Sequence, residues 1–141
     1  MEVSINYVAV LLATLSTLIV GSVWYSKSVF GNAWIKLARL NEKDMAKAGP
    51  RPIVITVIVS LLTAFVLAHF TALAHAFYQG DYSYLATALI TSVWAWAGFT
   101  AARVITHDSF EGRPPKLTLI TIMHEFVTFL VMGLVIGLVG N

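Results

Sequence analysis

The sequence predicts an all-α membrane protein: a four-transmembrane-helix bundle with a short amphipathic interfacial helix in its first cytoplasmic loop. Three observations carry this reading. The 141 residues are 58% hydrophobic and only 11% charged, with a mean hydropathy of +0.81, whereas an average globular chain carries about a quarter charged residues. Four apolar stretches, at roughly 3–24, 53–77, 84–105 and 117–139, are each long enough to cross a hydrocarbon core of ~30 Å, which takes about 20 helical residues. All nine Lys and Arg residues fall in segments that alternate spans place on one side. By length the chain is a single integral membrane domain, 1–141. With no cysteine, disulfides, thiolate metal sites and Cys nucleophiles are excluded.

The first stretch is read as a retained span. A cleaved signal peptide needs a basic leading segment, and here Glu2 stands alone before an apolar run that closes on Trp24-Tyr25. The loop after it holds Lys27, Lys36, Arg39, Lys43, Lys47 and Arg51. Within it Phe30, Trp34, Leu37 and Ala38 share a helical face opposed by Lys36 and Arg39, a pattern suited to a helix lying in the headgroup layer. Asn41 before Glu42-Lys43-Asp44 is an N-cap signal for a second short helix. Gly49-Pro50-Arg51-Pro52 stops it before the second span.

A short turn, Gln79–Ser83, leads into the third span. Arg103 closes that span, and Glu111-Gly112-Arg113-Pro114-Pro115 turns the chain into the fourth, with Arg113 set to pair with Glu111. Arg103, Arg113 and Lys116 complete the basic set, so the positive-inside rule places both basic loops in the cytoplasm and both termini outside it. The expected location is the cell's inner (plasma) membrane, crossed several times. Tyr7, Tyr25, Tyr78, Tyr82 and Tyr84 mark the predicted interfaces.

Each span offers small residues for close helix packing: Ala9, Ala13, Thr17 and Gly21; Ala64, Ala68, Ala72 and Ala76; Ala97 with Ala101 and Gly98 with Ala102; and Gly133 with Gly137. One compact bundle does not need them all, which points to a homo-oligomer. Trp94 and Trp96, near mid-bilayer, are expected in core or subunit packing.

Ionisable groups at membrane depth are costly and therefore informative. Glu125 lies ~13 Å beyond Lys116 at a rise of 1.5 Å per residue. Thr118, Thr121, His124, Glu125 and Thr128 occupy one arc of about 120°. Ser16, Thr17, Ser60, Thr63, Trp96 and Thr100 lie at similar depth, so a polar layer across the bundle is open to them. Glu125 is either a proton or cation site or a neutral, hydrogen-bonded link between helices. His124, about 100° round the helix, is not expected to pair with it and is read as an interhelical hydrogen-bonding group. His69 is placed further out, packed against another helix, and His75 near the outer interface. A haem between His69 and His124 would need both ligands at one depth, no metal-ligand spacing is present, and no cofactor is expected. His107-Asp108 is read as solvated. Trp34, Arg103 and Arg113 are the candidate lipid or interface contacts.

Trp24-Tyr25-Ser26 with Phe30-Gly31 and Trp34, then Trp96-Ala97-Gly98-Phe99, then Phe110-Glu111-Gly112-Arg113-Pro114 resemble the DUF1761 family of small bacterial integral membrane proteins of unknown function. The similarity covers nearly the whole chain in order. Lys27 stands where the family often has Pro, and Thr121 and His124 stand where it often has Asn and Tyr. The resemblance implies the membrane architecture and supplies no chemistry.

No nucleophile elbow, phosphate loop or nucleic-acid motif occurs. The leading expectation is an oligomeric transporter or channel for protons, ions or a small solute, with Glu125, His124, Thr121, Thr128 and His69 as its intramembrane polar site. The alternative is an accessory or structural protein binding lipid or a larger membrane complex. An enzyme acting on lipid ranks last, because acid–base work needs groups that converge on one point. The chain is therefore read as non-catalytic.

Overall fold

A computed structural model describes residues 4–78 and 81–140, with Asp44 described in its backbone only. Glu2, and Gln79 and Gly80 of the expected turn, lie outside the described residues, as does the Asp44 side chain. The helices are α1 (Tyr7–Trp24), α2 (Gly31–Leu37), α3 (Glu42–Lys47), α4 (Arg51–Phe77), α5 (Tyr84–Phe110) and α6 (Pro115–Val139). There is no strand among the described residues. Four helices, α1, α4, α5 and α6, are long and apolar enough to cross a membrane.

The ends of the spans follow local chemistry. Asn6 caps α1, its side-chain oxygen accepting from Val8 N at 3.0 Å and Ala9 N at 3.3 Å. Its amide nitrogen donates to the Val139 carbonyl at 2.8 Å, tying the first span to the end of the last. Asn41 caps α3 by accepting from Lys43 N at 3.0 Å, as its position predicts. Two spans start earlier than the apolar pattern implies. Pro52 and Pro115 fall in the first turn of α4 and α6, where a missing N–H costs nothing. The third span runs five residues past Ile105, to Phe110.

The four spans form a ring in the order α1, α4, α5, α6, with slight diagonal contact between α4 and α6. Packing within it is lopsided. A core of Val10, Ala13, Ala64, Leu67, Ala68, Ala88, Phe129, Met132 and Ile136 fills the end that carries the termini. At the loop end, α4 leans away: its buried residues begin only at Ser60, and Ile53, Val54, Ile55, Ile58 and Val59 are exposed.

The small residues are largely consumed inside the chain. A Cβ at Gly133 would collide with Ser92 Oγ and lie 3.0 Å from the Ala88 carbonyl, and one at Gly137 would lie 2.7 Å from Leu85 Cα. Gly133 and Gly137 are therefore the α5–α6 contact. Ala9, Ala13 and Thr17 of α1, and Ala64 and Ala68 of α4, are buried as well. Of the α5 pairs singled out above, only Ala101 is buried, while Ala97, Gly98 and Ala102 are exposed.

Two features escape the periodicity. Trp96–Ala101, in the middle of α5, is a π-helical segment. There the Trp96 indole nitrogen donates to the Ile122 carbonyl at 2.9 Å and the ring packs edge-on against Phe126, whereas Trp94 is 74% exposed. The connection from α1 to α2 is also tight. Gly31 N donates to the Ser26 carbonyl at 2.9 Å, and a Cβ at Gly31 would run into the carbonyl oxygens of Tyr25 and Ser26. This turn stacks Trp24 on Phe30 (ring centroids 4.6 Å apart) and Tyr25 on Trp34 (5.0 Å). Trp34 and Leu37 of α2 are half-buried and Lys36 is exposed, the amphipathic arrangement expected of that helix.

Candidate functional site

Where α4 leans away, a cavity of about 710 Å³ opens between the spans. All four contribute a hydroxyl to its wall: Thr17 from α1, Ser60 and Thr63 from α4, Thr100 from α5 and Thr128 from α6. The polar layer anticipated from depth alone thus exists, without Ser16 and Trp96. Ser16 donates to the Ala13 carbonyl at 2.7 Å on its own helix. A hydrogen bond of 3.0 Å joins Thr17 Oγ1 and Ser60 Oγ and ties α1 to α4 at the inner edge of the cavity. Most of the other hydroxyls along the spans donate to carbonyls of their own helix, as Thr63 does to Val59 at 3.0 Å. Thr128 differs: it is 7% exposed and its hydroxyl has no hydrogen-bond partner among the described residues.

The ionisable groups on the wall are Glu125, His124 and Tyr25. Contrary to the expectation from the helical wheel, His124 Nδ1 lies 3.2 Å from Glu125 Oε1, with the side chains 15% and 31% exposed. Backbone directions 100° apart keep successive Cβ atoms separate, but the long glutamate side chain can fold back over that arc. His124 is also not the interhelical hydrogen-bonding group expected of it. Its Nε2 is buried without a hydrogen-bond partner among the described residues and faces Gly21, where an added Cβ would stand 3.7 Å away. The imidazole rests against Tyr25, ring centroids 4.8 Å apart, and near Trp24, at 6.1 Å. Burial, with Glu125 as the lesser cause, pushes the Tyr25 phenol up to about 12, so it stays a neutral donor. Tyr25, read from sequence as an interface marker, is therefore also, with Trp24, the packing surface for His124.

The expected arc on α6 is divided. His124, Glu125 and Thr128 face the cavity, whereas Thr121 donates to the Leu117 carbonyl at 3.1 Å and lines a second pocket of about 470 Å³. His69 joins neither: its Nδ1 lies 2.8 Å from the Phe65 carbonyl, and its ring lies tilted against Phe65 with centroids 4.2 Å apart, both on its own helix. His75 sits edge-on to Tyr84 at 5.2 Å.

The second pocket lies between α2 and the α5–α6 turn and brings Trp34 and Arg113 together, along with Arg39, whose φ of 54° is left-handed. Arg103 is exposed on α5 and is not part of it. Arg113 Nε meets Glu111 Oε2 at 2.6 Å, the pairing foreseen for the turn. Asp108 corrects another expectation. It is 7% exposed, and Thr118 donates to its Oδ2 at 2.7 Å, with Arg113 Nε 3.7 Å from its Oδ1. Because the third helix extends past Ile105, Asp108 faces α6 instead of water, while His107 alone is exposed.

The family model described as "Protein of unknown function (DUF1761)" matches residues 8–137. Comparison with curated proteins and with solved structures found no match. The chain belongs to the DUF1761 family.

Proposed function

We propose that this DUF1761 membrane protein is a small non-catalytic transporter or channel for a proton, a cation or a small solute, with Glu125 as its central group. One observation carries the reading: a single carboxylate stands on the wall of a cavity to which all four spans contribute hydroxyls. A link between helices would spend that carboxylate on a neighbouring span, but its contact is with His124 of its own helix. Thr121 and His69 take no part in the proposed pathway. The protein sits in the inner (plasma) membrane with its termini outside the cytoplasm, a reading supported by the placement of every Lys and Arg on the loop side. It works as a homo-oligomer, for which the surface left on α5 around Trp94, Gly98 and Phe99 is the available contact.

A second reading, an accessory protein that holds lipid or a larger complex, draws on the loop-end pocket where Trp34 and Arg113 meet.

The test is flux of protons and inorganic cations into proteoliposomes, wild type beside Glu125→Gln, each first shown to elute as the same-sized species. Flux that disappears in the variant supports transport. Its absence from both proteins removes transport of those ions and turns attention to the accessory reading.

A further inference from the structure

We infer that the ligand of the Glu125 cavity is a lipophilic organic cation, an inference that rests on the cavity being a transport chamber. The charge on the wall selects the sign. Among the described residues one carboxylate faces the space and no Lys or Arg does, so an anion would meet repulsion without compensation. The titratable groups that face Glu125 are His124 on its own helix and Tyr25, just past the end of α1; among the described residues α4 and α5 bring none to the wall.

The remaining wall selects the body of the ligand. Hydroxyls aside, it is aliphatic, aromatic and thioether surface, including Leu18, Val59, Phe129 and Met132. A bare metal ion needs six to eight oxygen ligands at about 2.3–2.6 Å if it is calcium, or a tight octahedron if magnesium. Among the described residues no three His, Asp or Glu side chains gather to begin such a shell. A volume of about 710 Å³ lies instead in the range of roughly 300–1,000 Å³ typical of sites for organic molecules. Delocalised or shielded positive charge can be held by one carboxylate against a wall of aromatic and aliphatic surface, without a full coordination shell.

The route in agrees with this. Ile55 and Val59, on the rim, are 49% and 55% exposed and belong to the part of α4 that leans from the bundle. The chamber thus opens toward the lipid, where an amphiphilic cation accumulates.

The experiment is equilibrium binding of tetraphenylphosphonium to the purified protein, with neutral triphenylphosphine oxide as control. The wild type should bind the cation saturably and the neutral compound far more weakly. Glu125→Gln should weaken binding at least tenfold. Glu125→Asp, which keeps the charge but withdraws it, should fall between, and serves if the Gln variant does not purify. Absence of saturable binding in the wild type, equal binding of the neutral compound, or indifference to Glu125→Gln would overturn the inference. Flux of an inorganic cation or proton without tetraphenylphosphonium binding sinks this inference alone; loss of both sinks the transport reading with it.

Discussion

Thr118 donates a 2.7 Å hydrogen bond to Asp108 Oδ2, joining the last turn of α5 to the first of α6 across the Pro114-Pro115 connection. Asp108 is 7% exposed, and removing one partner of a buried hydrogen bond costs about 1–3 kcal/mol. Asp108→Ala and Thr118→Val should each destabilise the protein by about that much. Glu111→Ala should cost less than about 1 kcal/mol, as for other exposed ion pairs, since both members of the Glu111–Arg113 pair are about half exposed. Unfolding in a graded denaturing detergent would rank them, and equal losses for Asp108→Ala and Glu111→Ala would contradict the assignment.

Gly31 should tolerate no side chain. The atoms an added Cβ would meet are backbone carbonyls of Tyr25 and Ser26, which cannot rotate aside. Gly31→Ala should cost at least as much as core overpacking, about 1–3 kcal/mol, and should loosen the stacking of Trp24 on Phe30. Tryptophan fluorescence together with detergent unfolding would register both effects.

Gly133 and Gly98 should respond differently to the same substitution. Gly133→Ala drives a methyl into Ser92 Oγ and should destabilise by about 1–3 kcal/mol, partly recovered by adding Ser92→Gly. A Cβ at Gly98 meets nothing within 4 Å, so Gly98→Ala should leave stability unchanged or raise it by up to about 1 kcal/mol through helix propensity. If the two cost the same, the α5–α6 contact is wrongly placed.

The absence of cysteine makes single-cysteine variants unambiguous. Lys43→Cys should be shielded from an impermeant maleimide added outside intact cells, and Tyr82→Cys should react. Under oxidation in native membranes Gly98→Cys should form dimers, and Gly133→Cys, facing Ser92, should not. The reverse labelling pattern would invert the topology, and a monomeric Gly98→Cys would count against the α5 contact.

The architecture was legible because hydropathy and charge are sums over many residues, and no single side chain decides them. The N-cap at Asn41 and the Glu111–Arg113 pair were legible because their partners lie within a few residues. The hydroxyl layer was partly legible from depth, since parallel and antiparallel spans share one ruler, the rise per residue. What the sequence hid depends on direction. The wheel treats side chains as spokes, so it missed Glu125 bending back to His124. It assumes one period, so it could not contain the π-helical turn at Trp96–Ala101. Nor could it tell that Trp24 and Tyr25, a hundred residues away in the chain, would supply the surface on which His124 rests.

The uneven packing of the bundle also has a mechanical side. Gripped at Ala64 in the core and free at Arg51, α4 is a lever whose arm is about 20 Å long at 1.5 Å per residue. Rocking it by about 10° about that fulcrum would carry its tip about 3 Å, while the core residues near the pivot travel only a fraction of an ångström. The Thr17–Ser60 hydrogen bond sits partway along the arm and acts as its latch. A contact of such modest strength, ~0.6 kcal/mol on average between membrane helices, is one that thermal motion opens and recloses freely.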